Sequence, residues 1–255
     1  MAAPKSPILL LLLLCGFADS AYGGEPVTLI APIGVRAALQ DMFPAFERET
    51  GYTVNATFGS GLTTKKQIAQ GEVFDVSIAQ PPFPEILASG NVVIDSQIPI
   101  ASVSVAVAVR KGQPKPDIAT PDAVKRMLLS AKAISFPAPS FGAAAGVSFE
   151  KTLEKLGIAK QVEAKLVRTQ GGYAAMKLLA DGKVDIGLTF RSEMSDPGIN
   201  AVGPLPEEIS PPTKLIGFVS AHSKNPGAAK ALLAFIHSAQ VRESYQKNGM
   251  QPGNP

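Results

Sequence analysis

Apolar residues along this chain come in short bursts separated by amphipathic stretches, and glycine or proline stands at most of the boundaries. Val27 to Ala31 predicts a buried strand, and Pro32-Ile33-Gly34 turns the chain. From Arg36 to Thr50 apolar residues recur at Leu39, Phe43 and Phe46, the spacing of one helix face. Gly51 suits the left-handed residue that ends such a helix. Val54 to Phe58 predicts a second strand, and Thr63 or Thr64 can cap the next helix, which Gly71 stops. Asp75 to Ala79 is a third strand, which Pro81-Pro82 forbids from continuing, and Pro84 to Ser89 is a short helix. Valines alternate with small residues through Ile100–Val109, the pattern of a long strand buried on at least one face. A polar, proline-rich turn at 111–116 follows, and Thr120-Pro121-Asp122 then starts a helix with Thr120 as its cap. Ile134 to Phe136 is a strand, and Gly146 to Leu156 a helix stopped by Gly157. The segment 195–212 is rich in proline, glycine and acidic residues and reads as surface loop. Leu215 to Ser220 predicts a second crossing strand, and Pro226 to Ser238 and Ala239 to Lys247 are terminal helices.

One unit in this pattern occurs twice: strand, glycine turn, helix, glycine stop, strand. The first copy runs from Val54 through Gly59-Ser60-Gly61 and Gly71 to Asp75-Val76-Ser77-Ile78. The second runs from Ala164 through Gly171-Gly172 and Gly182 to Asp185-Ile186-Gly187-Leu188. Gly61 to Asp75 and Gly171 to Asp185 are both 14 positions apart (75 − 61; 185 − 171). The repetition predicts an α/β chain of two similar lobes, each a mainly parallel sheet flanked by helices. Residues 24–100 and 221–255 form lobe 1, residues 110–213 an inserted lobe 2, and 101–109 and 214–220 the two hinge strands. Ligands in such folds lie at the strand ends, in the cleft between lobes.

The N-terminus changes the picture of where the chain works. Lys5, an apolar run from Ile8 to Phe17 and a small-residue site near 18–23 read as a secretory signal over residues 1–23. Its run is short for a bilayer span. Cys15, the sole cysteine, falls inside it, so the mature chain has no disulfide and relies on its core. Cleavage after Gly23 or after Ser20 fits; the former leaves about 232 residues (255 − 23), enough for one large or two small domains. The formal charge of +3 is mild and argues against a nucleic-acid binder, and no later segment is long and apolar enough for a membrane helix.

Catalytic and metal chemistry find little support. His222 and His237 are the only histidines, no cluster has metal-ligand spacing, and no nucleophile elbow or phosphate loop is present. No catalytic residue, metal or cofactor is expected. What remains is four loops rich in bare amides. The first is Pro32-Ile33-Gly34-Val35-Arg36 at a helix start. The second is Gly59-Ser60-Gly61-Leu62, followed by Thr63, Thr64 and Lys65, which suits an anion or an ordinary capped turn. The third, Ser140-Phe141-Gly142 with the small residues after it, allows close backbone approach or plain flexibility. The fourth joins Gly171-Gly172-Tyr173 to Phe190-Arg191 at the end of the following strand, where Arg191 fits a bidentate carboxylate grip or an ordinary surface arginine. Together they predict a clamp holding a small anion by main-chain nitrogens at Ile33, Gly34, Ser60, Gly61, Leu62, Ser140, Phe141, Gly142, Gly172, Tyr173, Phe190 and Arg191.

The Phe-Gly-Ser-Gly loop, Gln67-Ile68-Ala69-Gln70-Gly71, Asp75-Val76, Gly182-Lys183-Val184-Asp185-Ile186-Gly187 and the closing run from Pro226 to Ile236 resemble the periplasmic molybdate-binding proteins of ABC importers. The likeness spans nearly the whole mature chain. It implies the two-lobe type II periplasmic-binding-protein fold, a monomer that delivers a small anion to an inner-membrane ABC permease, and no nucleic-acid partner. The family's contacts are backbone amides and a few hydroxyls; Ser60 matches one. Ile33 or Gly34 stands where a second hydroxyl is expected, and Phe190 where the late strand ends in tyrosine. A site lacking two polar partners under-coordinates a tetrahedral dianion, which points to an organic acid or another anion. The resemblance also implies an alternative, an isomerase of aconitate type on the same fold. That chemistry needs a general base, for which Tyr173 or Lys65 are the candidates, since Asp75 and Asp185 begin strands away from the cleft. The chain reads as a binding protein rather than an enzyme.

Overall fold

The computed structural model describes residues 25–253. The expected signal over 1–23, Cys15 included, lies outside them. Eleven strands run among the described residues: β1 (Val27–Pro32), β2 (Val54–Gly59), β3 (Val76–Ala79), β4 (Ile98–Val103), β5 (Val105–Arg110), β6 (Ile134–Pro137), β7 (Leu166–Thr169), β8 (Ile186–Phe190), β9 (Ile199–Pro204), β10 (Thr213–Val219) and β11 (Gln251–Pro252). They form two sheets, ordered β11-β4-β10-β3-β1-β2 and β7-β6-β8-β5-β9, with helices packed against them.

The repeated unit accounts for this likeness. β1 lies parallel between β2 and β3, and β6 lies parallel between β7 and β8. Antiparallel strands complete both sheets, β10, β4 and β11 beyond β3, and β5 and β9 beyond β8, so each sheet is mixed rather than mainly parallel as expected. The central strands β3, β6 and β8 are buried at every position, as strands covered on both faces must be. Aromatic pairs anchor the helices on each side. Phe46 meets Phe235 at 5.5 Å between ring centroids, and Phe136 meets Phe149 at 5.0 Å.

Both aspartates of the repeat fasten strand beginnings. Asp75 accepts hydrogen bonds from the backbone N–H and hydroxyl of Thr28, at 2.8 and 2.7 Å, and from Ser223 at 2.6 Å. Asp185 accepts from the N–H groups of Lys132, at 2.6 Å, and Ala133, at 3.2 Å. They hold the ends of the sheets opposite to the candidate site and leave the C-terminal strand ends to it.

Four local expectations change. The long apolar run at 100–109 is two strands: β4 belongs to the first sheet and β5 to the second, with the passage at Ser104. The segment 195–212 contains β9, which pairs with β5. Only Ile199 of that strand is buried, so its edge position leaves no alternating pattern to read. The cap of the helix Gly61–Gln70 is Ser60 rather than Thr63 or Thr64: its hydroxyl accepts the N–H of Thr63 at 3.1 Å. The second expected hinge strand, 214–220, does not cross either: β10 pairs with β3 and β4 inside the first sheet, and the chain returns to that sheet through 205–212, so two connections join the sheets.

Candidate functional site

Parallel strands deliver their C-terminal ends, and the helices that follow them, to one side of each sheet. Pro32 and Pro137 end the equivalent strands β1 and β6, and both face a cavity of about 200 Å³ between the sheets. At roughly 30 Å³ per water this is room for about six waters, the scale of a small ion or organic acid. Helical segments begin at its wall from four directions: Ile33–Val35 leading into Arg36–Thr50, Gly61–Gln70, Ala144–Lys155 and Gly172–Ala180.

The first N–H groups of a helix have no partner inside it. Here the amides of Gly61, Ala144, Ala145, Gly172 and Tyr173 bond to no other described residue. The last two helices also lack a side-chain cap. Unbonded donors at the positive ends of helix dipoles make the cavity a place for negative charge. Arg36 does not line the cavity; its guanidinium carbon lies 5.8 Å from the centroid of the Tyr173 ring, a contact across the gap between the sheets.

Seven of the twelve expected residues stand in the cavity wall: Ile33, Gly34, Ser60, Gly61, Gly172, Tyr173 and Phe190. The other five do not line it. Leu62 and Gly142 line an adjoining cavity of about 250 Å³. They are joined to each other, because the Leu62 N–H donates to the Gly142 carbonyl at 3.3 Å. That bond ties the helix after β2 to the loop after β6, and it uses the amide expected to face a ligand. Ser140 and Phe141 are exposed on the same loop. Arg191 donates its backbone N–H to Ser104, and its side chain lies beside Gly249. Of the two candidate bases, Tyr173 faces the cavity, whereas the Lys65 ammonium lines the adjoining cavity and donates to the Pro82 carbonyl at 3.0 Å.

Four wall residues escape the sequence reading, Gln80, Pro137, Gln170 and Glu193, and two of them, Gln80 and Glu193, bring buried polar side chains. Gln80 follows β3 directly and is 4 % exposed; its side-chain carbonyl has no hydrogen-bond partner among the described residues. Glu193 follows β8 by three residues and is 5 % exposed. Its carboxyl accepts a hydrogen bond from the Thr189 hydroxyl. Burial pushes its pKa above the usual glutamate value, and the Thr189 bond opposes that rise. The one sequence signal for both is position, just past the C-terminal end of a strand; nothing in the local pattern marks either side chain as buried.

Comparison with known proteins fits this geometry. Residues 27–251 match the family described as bacterial extracellular solute-binding protein. The chain is similar to an aconitate isomerase of a Pseudomonas species, 27 % identical over 260 residues that cover 98 % of this chain and 97 % of that one. It is also similar to the molybdate-binding protein ModA of Rhodobacter capsulatus, 26 % identical over 94 % of this chain and 93 % of that one. In fold it resembles the periplasmic molybdate-binding protein of Azotobacter vinelandii, with a TM-score of 0.73 at 17 % identity over 89 % of this chain and all of that one.

Proposed function

The chain belongs to the bacterial extracellular solute-binding protein family, and from that premise we propose that it captures a small anion between its two sheets for an ABC importer. The carrying observation is the convergence of unbonded helix-start amides on one cavity of about 200 Å³. Such donors hold an anion without a fixed counter-charge, so release to a permease stays possible. Gly34, Ser60, Gly61, Ala144, Ala145, Gly172 and Tyr173 are the contacts in this reading, and Phe190 is the apolar floor. The two sheets act as lobes, 25–103 with 213–253 against 105–204, and the connections at Ser104 and 205–212 act as hinges. The working form is a periplasmic monomer released from a leader over 1–23.

A thermal-shift panel of oxyanions and di- and tricarboxylates on residues 24–255 tests this. A ligand at about 100 times its Kd raises stability by roughly 2.7 kcal/mol, which is easily seen. A panel with no shift from any anion would remove the reading.

A second reading is an isomerase of an unsaturated polycarboxylate, the activity in the name of the Pseudomonas relative. Moving the double bond takes a proton from one carbon and returns one to another. Glu193 is the observation that favours it, a carboxyl in the cavity wall whose raised pKa suits a group that both gives and takes protons. Purified protein incubated with cis-aconitate would then form the trans isomer, followed by proton NMR. No conversion at high protein concentration excludes it.

A further inference from the structure

Glu193 poses a physical problem for an anion site. A carboxyl group stands in the wall of a cavity built from bare amides, almost wholly withdrawn from water. Its one hydrogen-bond partner among the described residues is the Thr189 hydroxyl, which engages one oxygen. The second oxygen points toward Gly34, at about the distance of ordinary packing from where a side chain there would begin. Glu193 therefore sits where the two sheets meet at the cavity: its 3-10 turn follows β8, while Gly34 follows β1. Position 172 has to be glycine for this, because any Cβ there would overlap both the Glu193 carboxyl and the Thr189 hydroxyl. The local backbone is shaped to admit a buried carboxyl beside the ligand space.

An ionised carboxyl there would repel the ligand. A neutral one offers an O–H donor, and O–H to carboxylate bonds are among the short, strong ones. Resting on the anion-binding reading above, we propose that Glu193 is the specificity-determining residue of this cavity: its neutral carboxyl donates to a carboxylate oxygen of an organic acid, so that each bound ligand requires one proton on the protein. The groups around it do not replace that role. The 3-10 segment Ile33–Val35 and strand β9 bring no charged side chain. Arg36 stacks on Tyr173, Arg191 lies beside Gly249, and Lys177 on the helix Gly172–Ala180 pairs with Asp181. Burial, with no nearby charge acting on it, favours the neutral form.

The test is calorimetric titration of cis-aconitate, citrate and sulfate into the mature chain and into Glu193→Gln from pH 5 to 8.5. Glutamine keeps the shape and a donor but does not titrate. Both proteins meet the same ligand protonation, so the difference between their profiles belongs to Glu193. The expected result is that wild-type affinity for a carboxylate falls about tenfold per pH unit once Glu193 ionises, relative to a variant that still binds. Thr189→Val, which removes the bond favouring the ionised form, should move the onset of that fall to higher pH. Parallel profiles for wild type and Glu193→Gln overturn the proposal while leaving the anion reading standing. If Glu193→Gln does not fold, an onset unmoved by Thr189→Val overturns it instead. Absence of binding by every anion at every pH removes the anion reading and this inference together.

Discussion

Glu193 also ties stability to pH before any ligand arrives. Its folded pKa lies above the ordinary value of 4.5, so between the two the folded state holds a proton that the unfolded chain has lost. Stability from this group is full below the ordinary value and declines as pH rises toward the folded one. Each unit of displacement is worth about 1.4 kcal/mol. Glu193→Gln should therefore gain stability relative to wild type as pH rises from 5 to 8 in urea melts; equal slopes would mean the carboxyl titrates as in the unfolded chain. Its neighbour Gly172 makes a second prediction at this scale. Alanine there forces the Glu193 and Thr189 side chains to move, an overpacking cost of about 1–3 kcal/mol, visible as a lowered urea midpoint.

At the scale of elements, the repeat uses the same parts for different ends. Ser60 caps the helix Gly61–Gln70 and also stands in the cavity wall, so Ser60→Ala should cost about 1 kcal/mol of stability and weaken anion binding together. At 2–4 °C per kcal/mol, a melting shift near 3 °C is the size to look for. The aspartates Asp75 and Asp185 separate by burial. Asp75 is half-buried and satisfies two groups of Thr28 and one of Ser223, whereas Asp185 is exposed. Asp75→Ala should cost about 2–3 kcal/mol in chemical unfolding and Asp185→Ala about 1 kcal/mol, with ligand affinity unchanged in both. A change in affinity would show that the far ends of the strands take part in binding.

Across the whole molecule, the cavity exists because two sheets meet, and few contacts cross at its mouth. The bond from Leu62 to Gly142 is one, and Arg36 over Tyr173 is another. Gly142 has φ +77°, a region that favours glycine, and a side chain there would run into Leu62 and Ser60. Gly142→Val should therefore hold the halves apart. Affinity is expected to fall at least about tenfold, and small-angle scattering should show a larger radius of gyration that ligand does not reduce. Wild-type affinity and closure in this variant would mean that the loop after β6 is not part of the clamp.

Much of this molecule is dictated by local pattern. The helix Arg36–Thr50, the cap at Thr120, the strands either side of Gly61 and Gly172 and the existence of two matched units all follow from periodicity and from glycine and proline at element ends, which act over a few residues. The exposed helix-start amides were legible too, since a glycine turn opening a helix exposes them wherever it is placed. What pairing across distance decides was not. The break at Ser104 and the edge strand β9 depend on which sheet each segment joins, and β9 gains its order from β5 rather than from its own residues. Leu62 gives its amide to Gly142, 80 positions away (142 − 62), and Arg191 turns to Gly249. Burial of Gln80 and Glu193 arises only when two sheets close on them. Desolvation depends on every neighbour at once, and the chain order of three or four residues carries no record of it.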